Sequence, residues 1–163
     1  KQYVYGCAAA PLACVAAHQR KEAHIATRIM VINDDQDILD LYELLLEDEG
    51  YEVVSSKLAF EHPIAVASLH PQLVILDLKF GTELEGWKMM QKLRMYRPTA
   101  KLPIIVSTAA VNQAREQEDH LRAEGIGIIY KPFQIEQFTQ AVQQVLAAVE
   151  SDRVPLASVG GAH

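Results

Sequence analysis

Apolar residues in this chain come in short unbroken runs separated by longer amphipathic stretches. Leu73–Leu78 (LVILDL) sets five apolar residues around one carboxylate. Arg28–Asn33, Leu102–Thr108 and Gly125–Tyr130 are runs of the same kind, and Tyr51–Ser55 is a shorter one of β-branched and aromatic character. Runs this apolar and this short predict strands buried on both faces, as in the middle of a parallel sheet. Between them the period lengthens to that of a helix. Ile38, Leu41, Tyr42 and Leu45 recur at i, i+3, i+4 and i+7, with Gly50 as the stop. Pro63 suits the first turn of a second helix running to about Leu69. A third, Trp87 to Tyr96, turns Trp87, Met90 and Leu93 inward and breaks before Pro98. Val111–Glu124 also reads as helix, but between Gln113 and His120 its one apolar residue is Ala114, so little burial holds it. The last helix, Ile135–Val149, aligns Ile135, Phe138, Val142, Val145, Leu146 and Val149. Strand and helix alternate five times, which predicts a parallel sheet covered by helices on both faces and joined by right-handed crossovers.

The chain's 163 residues make one domain, and a composition that is half hydrophobic supplies a sizeable core. A net charge of −6 argues against nonspecific binding to nucleic acid or an anionic membrane, and no apolar run reaches spanning length. Residues 1–27 lack the strand pattern: they are Ala-rich, then polar, and read as a short helix over Ala8–Glu22 or as an extension foreign to the domain. Cys7, Cys14, His18 and His24 fall there, but the cysteine spacing is wider than a zinc finger uses, and no disulfide framework is implied. The expected layout is an N-terminal extension over 1–27, a domain over 28–150 and a flexible tail over 151–163. A reducing, cytoplasmic compartment is the expectation.

Strand ends carry the chemistry. Asn33, Asp34 and Asp35 follow the first strand, Asp77 ends the central one, Ser107 and Thr108 end the fourth, and Lys131 follows the fifth. In a parallel sheet these ends share one edge, where open α/β folds place their ligand crevice. Carboxylates from two strands at one spot repel unless a cation lies between them. Oxygen ligands suit a hard ion, Mg²⁺ above all, which leaves room for phosphate oxygens. A lysine and a hydroxyl beside them describe an anion site, and an aspartate can itself take a phosphoryl group. Each residue also has an ordinary reading: Asp34 and Asp35 as helix caps, Thr108 as a strand-end turn, Lys131 as a solvated loop lysine.

Asn33-Asp34-Asp35, Leu76-Asp77-Leu78, Ser107-Thr108-Ala109 and Lys131-Pro132-Phe133 together resemble the motifs of the receiver domain of two-component response regulators. The resemblance covers roughly Thr27 to Ala148. It implies a flavodoxin-like (βα)5 three-layer sandwich with sheet order 2-1-3-4-5. It implies that Asp77 is the phosphoacceptor, served by a sensor histidine kinase or a phosphotransfer protein. It implies Mg²⁺ held by Asp34, Asp77 and the backbone carbonyl of Lys79, with Asn33 and Asp35 as supplementary candidates. Thr108 and Lys131 would bind the arriving phosphoryl group, and phosphorylation would switch a protein-interaction surface. The weakly packed helix over Val111–Glu124, with the last strand and helix, is the candidate moving face, and residues 111–150 are a candidate homodimer face. No direct nucleic-acid or membrane partner is expected, and no enzymatic activity beyond self-phosphorylation and self-dephosphorylation.

The chain departs from that pattern in three places. Asn33 stands where the family usually has the first acid of its pair, which removes one negative charge and weakens attraction for Mg²⁺. The loop after Asp77 has Gly81 where a proline is usual, and Gly86 falls about one residue late. The switch aromatic would fall at Ile128, which has no ring, while Tyr130 lies two residues on and therefore on the same face of its strand. These departures favour an alternative: a degenerate receiver that serves as a phosphorylation-independent interaction or dimerisation module. An aspartate-nucleophile phosphatase is disfavoured because Lys79 stands where such enzymes place a second Asp. Flavin binding is disfavoured because the acidic cluster after the first strand would repel a phosphate.

Overall fold

The computed structural model describes residues 26–57, 62–79, 85–109 and 111–153. The readings on Cys7, Cys14, His18, His24, the Ala8–Glu22 helix, Gly81 and the tail beyond 153 lie outside them. Five strands form one sheet: β1 (Arg28–Ile32), β2 (Glu52–Ser56), β3 (Leu73–Leu76), β4 (Ile104–Thr108) and β5 (Ile126–Tyr130). Six helices accompany them: α1 (Gln36–Asp48), α2 (Pro63–Ser68), α3 (Glu85–Met95), α4 (Val111–Glu116), α5 (Glu118–Ala123) and α6 (Ile135–Arg153). All neighbouring strands are parallel, in the order β2-β1-β3-β4-β5, which is the flavodoxin-like order expected.

Alternation along the strands divides the core in two. Met30, Ile32, Val74, Leu76, Ile104 and Val106 face one side, where they meet α2, α3, α4 and α5. Ile29, Val31, Leu73, Ile75 and Ile105 face the other, against α1 and α6. A strand buried on both faces has no polar face, which is why β3, β1 beyond Arg28 and β4 up to Val106 read as continuous apolar runs.

Three helices differ in detail from their sequence patterns. In α1 the fully buried stripe is Leu39, Tyr42 and Leu46, not one centred on Leu41, which is 37% exposed. Ile38 and Leu45 flank that stripe against the same core. The segment is leucine-rich nearly all round, so two apolar stripes share Tyr42 and periodicity alone does not choose between them. The stretch after β4 is two short helices rather than one. The chain turns at Gln117, and among the described side chains each piece has one buried residue, Ala114 or Leu121. In α6, Phe138 and Val142 are buried as expected, but Ile135 is 52% exposed because it opens the helix at the sheet's rim. That helix also continues to Arg153, past the Val149 end read from the sequence.

Helix ends match local chemistry. Asp35 caps α1 by accepting the Asp37 amide at 2.9 Å. Gly50, at φ +86°, closes it: its amide reaches the Glu47 carbonyl and the Tyr51 amide reaches that of Leu46. Thr99 Oγ1 donates to the Leu93 carbonyl at the end of α3.

Candidate functional site

Sheet register assembles the rim. Ile32 of β1 lies opposite Leu76 of β3, so the next residue of each strand, Asn33 and Asp77, also sit side by side. The Asp77 amide donates to the Ile32 carbonyl at 3.1 Å and fixes that alignment. On the other side Thr108 lies opposite Tyr130, and the Lys131 amide donates to the Thr108 carbonyl at 2.9 Å. Lys131 precedes Pro132 through a cis peptide bond.

Asp77 is 8% exposed and fully engaged. Lys131 Nζ donates to its Oδ2 at 2.7 Å, forming an ion pair whose side chains are 17% and 10% exposed. Asn33 Nδ2 donates to the same oxygen at 3.3 Å. The Lys79 amide donates to Oδ1 at 2.9 Å. A nearly buried carboxylate is tolerable here because three donors, one of them carrying the opposite charge, replace its water. Thr108 is fully buried at the end of β4. Asp34 follows Asn33 at the same rim and is exposed.

The acidic stretch divides its labour. Asn33 Oδ1 accepts the Asp35 amide at 2.9 Å, and Asp35 Oδ1 in turn caps α1. Asn33 Oδ1 and one of the two carboxylate oxygens of Asp35 thus accept backbone amides. The principal oxygens of the expected set are the carboxylates of Asp34 and Asp77 and the carbonyl of Lys79. That donor set is hard and oxygen-only, and its chemistry fits Mg²⁺. Among the described residues no group of three or more His, Cys, Asp or Glu side chains is placed to hold a metal ion. An ion here would rest on two carboxylates at most, with water and phosphate completing its shell.

Sequence reasoning missed two features beside the site. Tyr42, 1% exposed, shares a 2.6 Å hydrogen bond with Ser107 Oγ beneath the rim. Burial pushes the Tyr42 hydroxyl up to about 12; the Ser107 bond opposes that shift and the negative charge of Asp77 adds to it. Period-two alternation was the available signal: it turns Ser107 toward α1 while Thr108 faces the other way. The second feature surrounds Tyr130. Ile128 and Tyr130 pack on the same core face, as alternation implies. The Tyr130 hydroxyl donates to Glu118 Oε2 at 2.9 Å, Arg122 donates to Glu118 Oε1, and the Arg115 guanidinium lies 5.9 Å above the Tyr130 ring. Residual burial and the Glu118 carboxylate raise the Tyr130 hydroxyl above its ordinary range. A ring thus joins β5 to α4 and α5, one residue from Lys131.

Gly86, at the start of α3, presses on the chain just past the acceptor. A Cβ there would lie 2.6 Å from both Leu78 Cα and the Leu78 carbonyl oxygen, and closer still to the Asp77 carbonyl. No side chain fits, so glycine holds α3 against the rim.

The family model described as response regulator receiver domain matches residues 29–143. A DNA-binding dual master transcriptional regulator, RpaA, of Synechocystis sp. is 30% identical over 131 residues, covering 80% of this chain and 53% of its own length. The chain thus spans about half of that relative, and 28% of the length of AlgB of Pseudomonas aeruginosa, which is also 30% identical. Among solved structures, a CheY-like response regulator receiver domain protein from Methanospirillum hungatei JF-1 matches with a TM-score of 0.64 at 26% identity, covering 78% of this chain and 98% of that one.

Proposed function

Since this chain belongs to the response regulator receiver domain family, we propose that Asp77 accepts a phosphoryl group from a phosphohistidine of a sensor histidine kinase or a phosphotransfer protein. The observation that carries the proposal is the ion pair of Asp77 with Lys131 at the rim, with Asn33 and the Lys79 amide completing the carboxylate's contacts. In the step itself a carboxylate oxygen of Asp77 attacks phosphorus. The P–N bond to the donor imidazole breaks, and its electron pair returns to that ring nitrogen, which takes a proton. An acyl phosphate results.

The protein's part is positioning and charge neutralisation. The backbone amide of Lys79 holds one carboxylate oxygen and keeps the group's plane fixed. Lys131, already 2.7 Å from Oδ2, moves from carboxylate to phosphoryl oxygen as charge passes from one to the other. Thr108 offers a hydroxyl from the neighbouring strand. Asp34, Asp77 and the Lys79 carbonyl would hold Mg²⁺, which when bound neutralises charge on the transferring phosphoryl oxygens. A phosphoryl group on Asp77 adds charge one strand away from Thr108 and beside the Lys131 ammonium, which reaches Asp77 from beyond β5. From there Tyr130 leads to α4 and α5, whose small cores make them the readiest part of the domain to shift. The output is then a changed interaction surface over residues 111–150, in the cytoplasm, offered to a second copy or to another protein. Among the described residues no helix is long and apolar enough to cross a membrane.

Intact-mass measurement after incubation with acetyl phosphate and Mg²⁺ tests the reading. One added phosphoryl group is expected, and none in Asp77→Asn. Unchanged labelling of that variant refutes the site. Absence of any response to beryllofluoride with Mg²⁺ would instead leave a receiver that works as an interaction module alone.

A further inference from the structure

We infer that Asn33 is a positioning residue that makes Lys131, rather than a divalent cation, the resident counter-charge of Asp77. The inference rests on the phosphoacceptor reading of this site and concerns how the site waits before the phosphoryl group arrives.

The amide of Asn33 can sit only one way round. Its Oδ1 accepts the Asp35 amide at 2.9 Å and its Nδ2 donates to Asp77 Oδ2 at 3.3 Å. Turning it over would set carbonyl oxygen against carboxylate and amide hydrogens against an amide hydrogen, replacing two bonds by two repulsions. At 2% exposure there is no water to repair either contact. Asn33 therefore presents hydrogens, not an oxygen, to the acceptor. A group that donates cannot ligate a cation.

Asp77 shows the consequence. Its Oδ2 takes Lys131 and Asn33, and its Oδ1 takes the Lys79 amide. Each carboxylate oxygen has a protein donor of its own. A carboxylate at position 33 would reverse this. It could keep the bond to the Asp35 amide, but its second oxygen would face Asp77 Oδ2 as one anion against another. That repulsion is relieved by a cation between them, so the metal would become part of the resting state. Asparagine removes both the repulsion and the attraction. It keeps the rim folded and closed without a divalent ion, and makes the ion a weakly held guest in competition with Lys131.

The test is Mg²⁺ titration of the unphosphorylated full chain by calorimetry, with thermal denaturation in EDTA and in saturating Mg²⁺. Asn33→Asp is expected to bind Mg²⁺ at least tenfold more tightly than the wild type. It should melt lower than the wild type in EDTA and recover with Mg²⁺, while the wild-type melting temperature barely moves. Lys131→Ala, made in the Asn33 background, should also tighten Mg²⁺ binding by removing the competitor, and covers the case in which Asn33→Asp fails to fold. Wild-type affinity within twofold of both variants overturns the inference. So does an Asn33→Asp protein whose metal-free stability equals the wild type's. Acetyl phosphate labelling of the wild type at saturating Mg²⁺ separates this from the parent reading. Labelling at Asp77 with no change of affinity in the variants sinks only the role of Asn33, and no labelling at all sinks the phosphoacceptor.

Discussion

Removing Lys131 should cost more than removing its charge partner, and the difference measures how far the site is shielded from water. Nζ lies 2.7 Å from Asp77 Oδ2, with the two side chains 17% and 10% exposed. At an effective dielectric near 20 the bare attraction at such a distance is about 6 kcal/mol, most of which offsets desolvation. Losing one member of a well-buried pair costs roughly 3–5 kcal/mol, and the residual exposure here lowers that to about 2–3 for Lys131→Met. The reason is that Asp77 cannot leave. It ends a central strand and its Oδ1 is tied to the Lys79 amide, so an uncompensated carboxylate stays behind with only the Asn33 amide on Oδ2. Asp77→Asn is milder, about 1 kcal/mol or less, because the lysine's flexible stem can carry its ammonium to the nearby solvent. The double variant should resemble Asp77→Asn alone, which gives a coupling energy of about 2–3 kcal/mol, the whole cost of Lys131→Met. Urea unfolding at pH 7 in EDTA, with the slope against denaturant held common, measures all four corners. Additive single effects, with coupling below about 0.5 kcal/mol, would mean that water screens the pair as it does at a surface and that the site is open.

Two further substitutions probe the scaffold beneath and beside the acceptor. Gly86→Ala sets a methyl group 2.6 Å from backbone atoms of Leu78, so α3 or the chain after Asp77 must move. A loss of about 1–3 kcal/mol, a shifted Lys79 amide resonance and slower labelling are expected, and an unshifted amide with full stability would show that α3 does not press on the rim. Tyr42→Phe strands the buried Ser107 hydroxyl and should cost about 1–2 kcal/mol at pH 7. Because burial lifts the Tyr42 hydroxyl in the folded state to about 12, its contribution is complete below the ordinary tyrosine value near 10 and is lost as pH rises from there through about 12. The stability gap between wild type and Tyr42→Phe should therefore shrink between pH 9 and 11.5, and a constant gap in urea unfolding at the two values would contradict the burial argument.

What could be read in advance follows from how each element is stabilised. A strand buried on both faces is apolar over most of its length, so β1, β3 and β4 announced themselves, and the polar residues at or just past their ends stood out against that background. Helix faces were less legible. The leucines of α1 permit two stripes, and only contact with the sheet selects the one through Leu39 and Leu46. The break at Gln117 was foreshadowed by the want of apolar residues around it, yet nothing local says that two anchors, Ala114 and Leu121, outweigh the continuity of one helix. Partners within the site were the least legible of all, because they depend on register between strands far apart in sequence. Asn33 looked like a weakened ligand as long as its neighbour was unknown. Set beside Asp77 by the pairing of Ile32 with Leu76, the same amide becomes a donor, and its oxygen turns back to the chain. Lys131 reaches Asp77 by the same logic from the opposite side: β4 lies between their strands, and the pairing of Thr108 with Tyr130 stops β5 one residue short of it. Asn33, Asp77 and Lys131 each lie one step past the last paired residue of their strands, where backbone order still fixes position, while Thr108 is itself the last paired residue of β4.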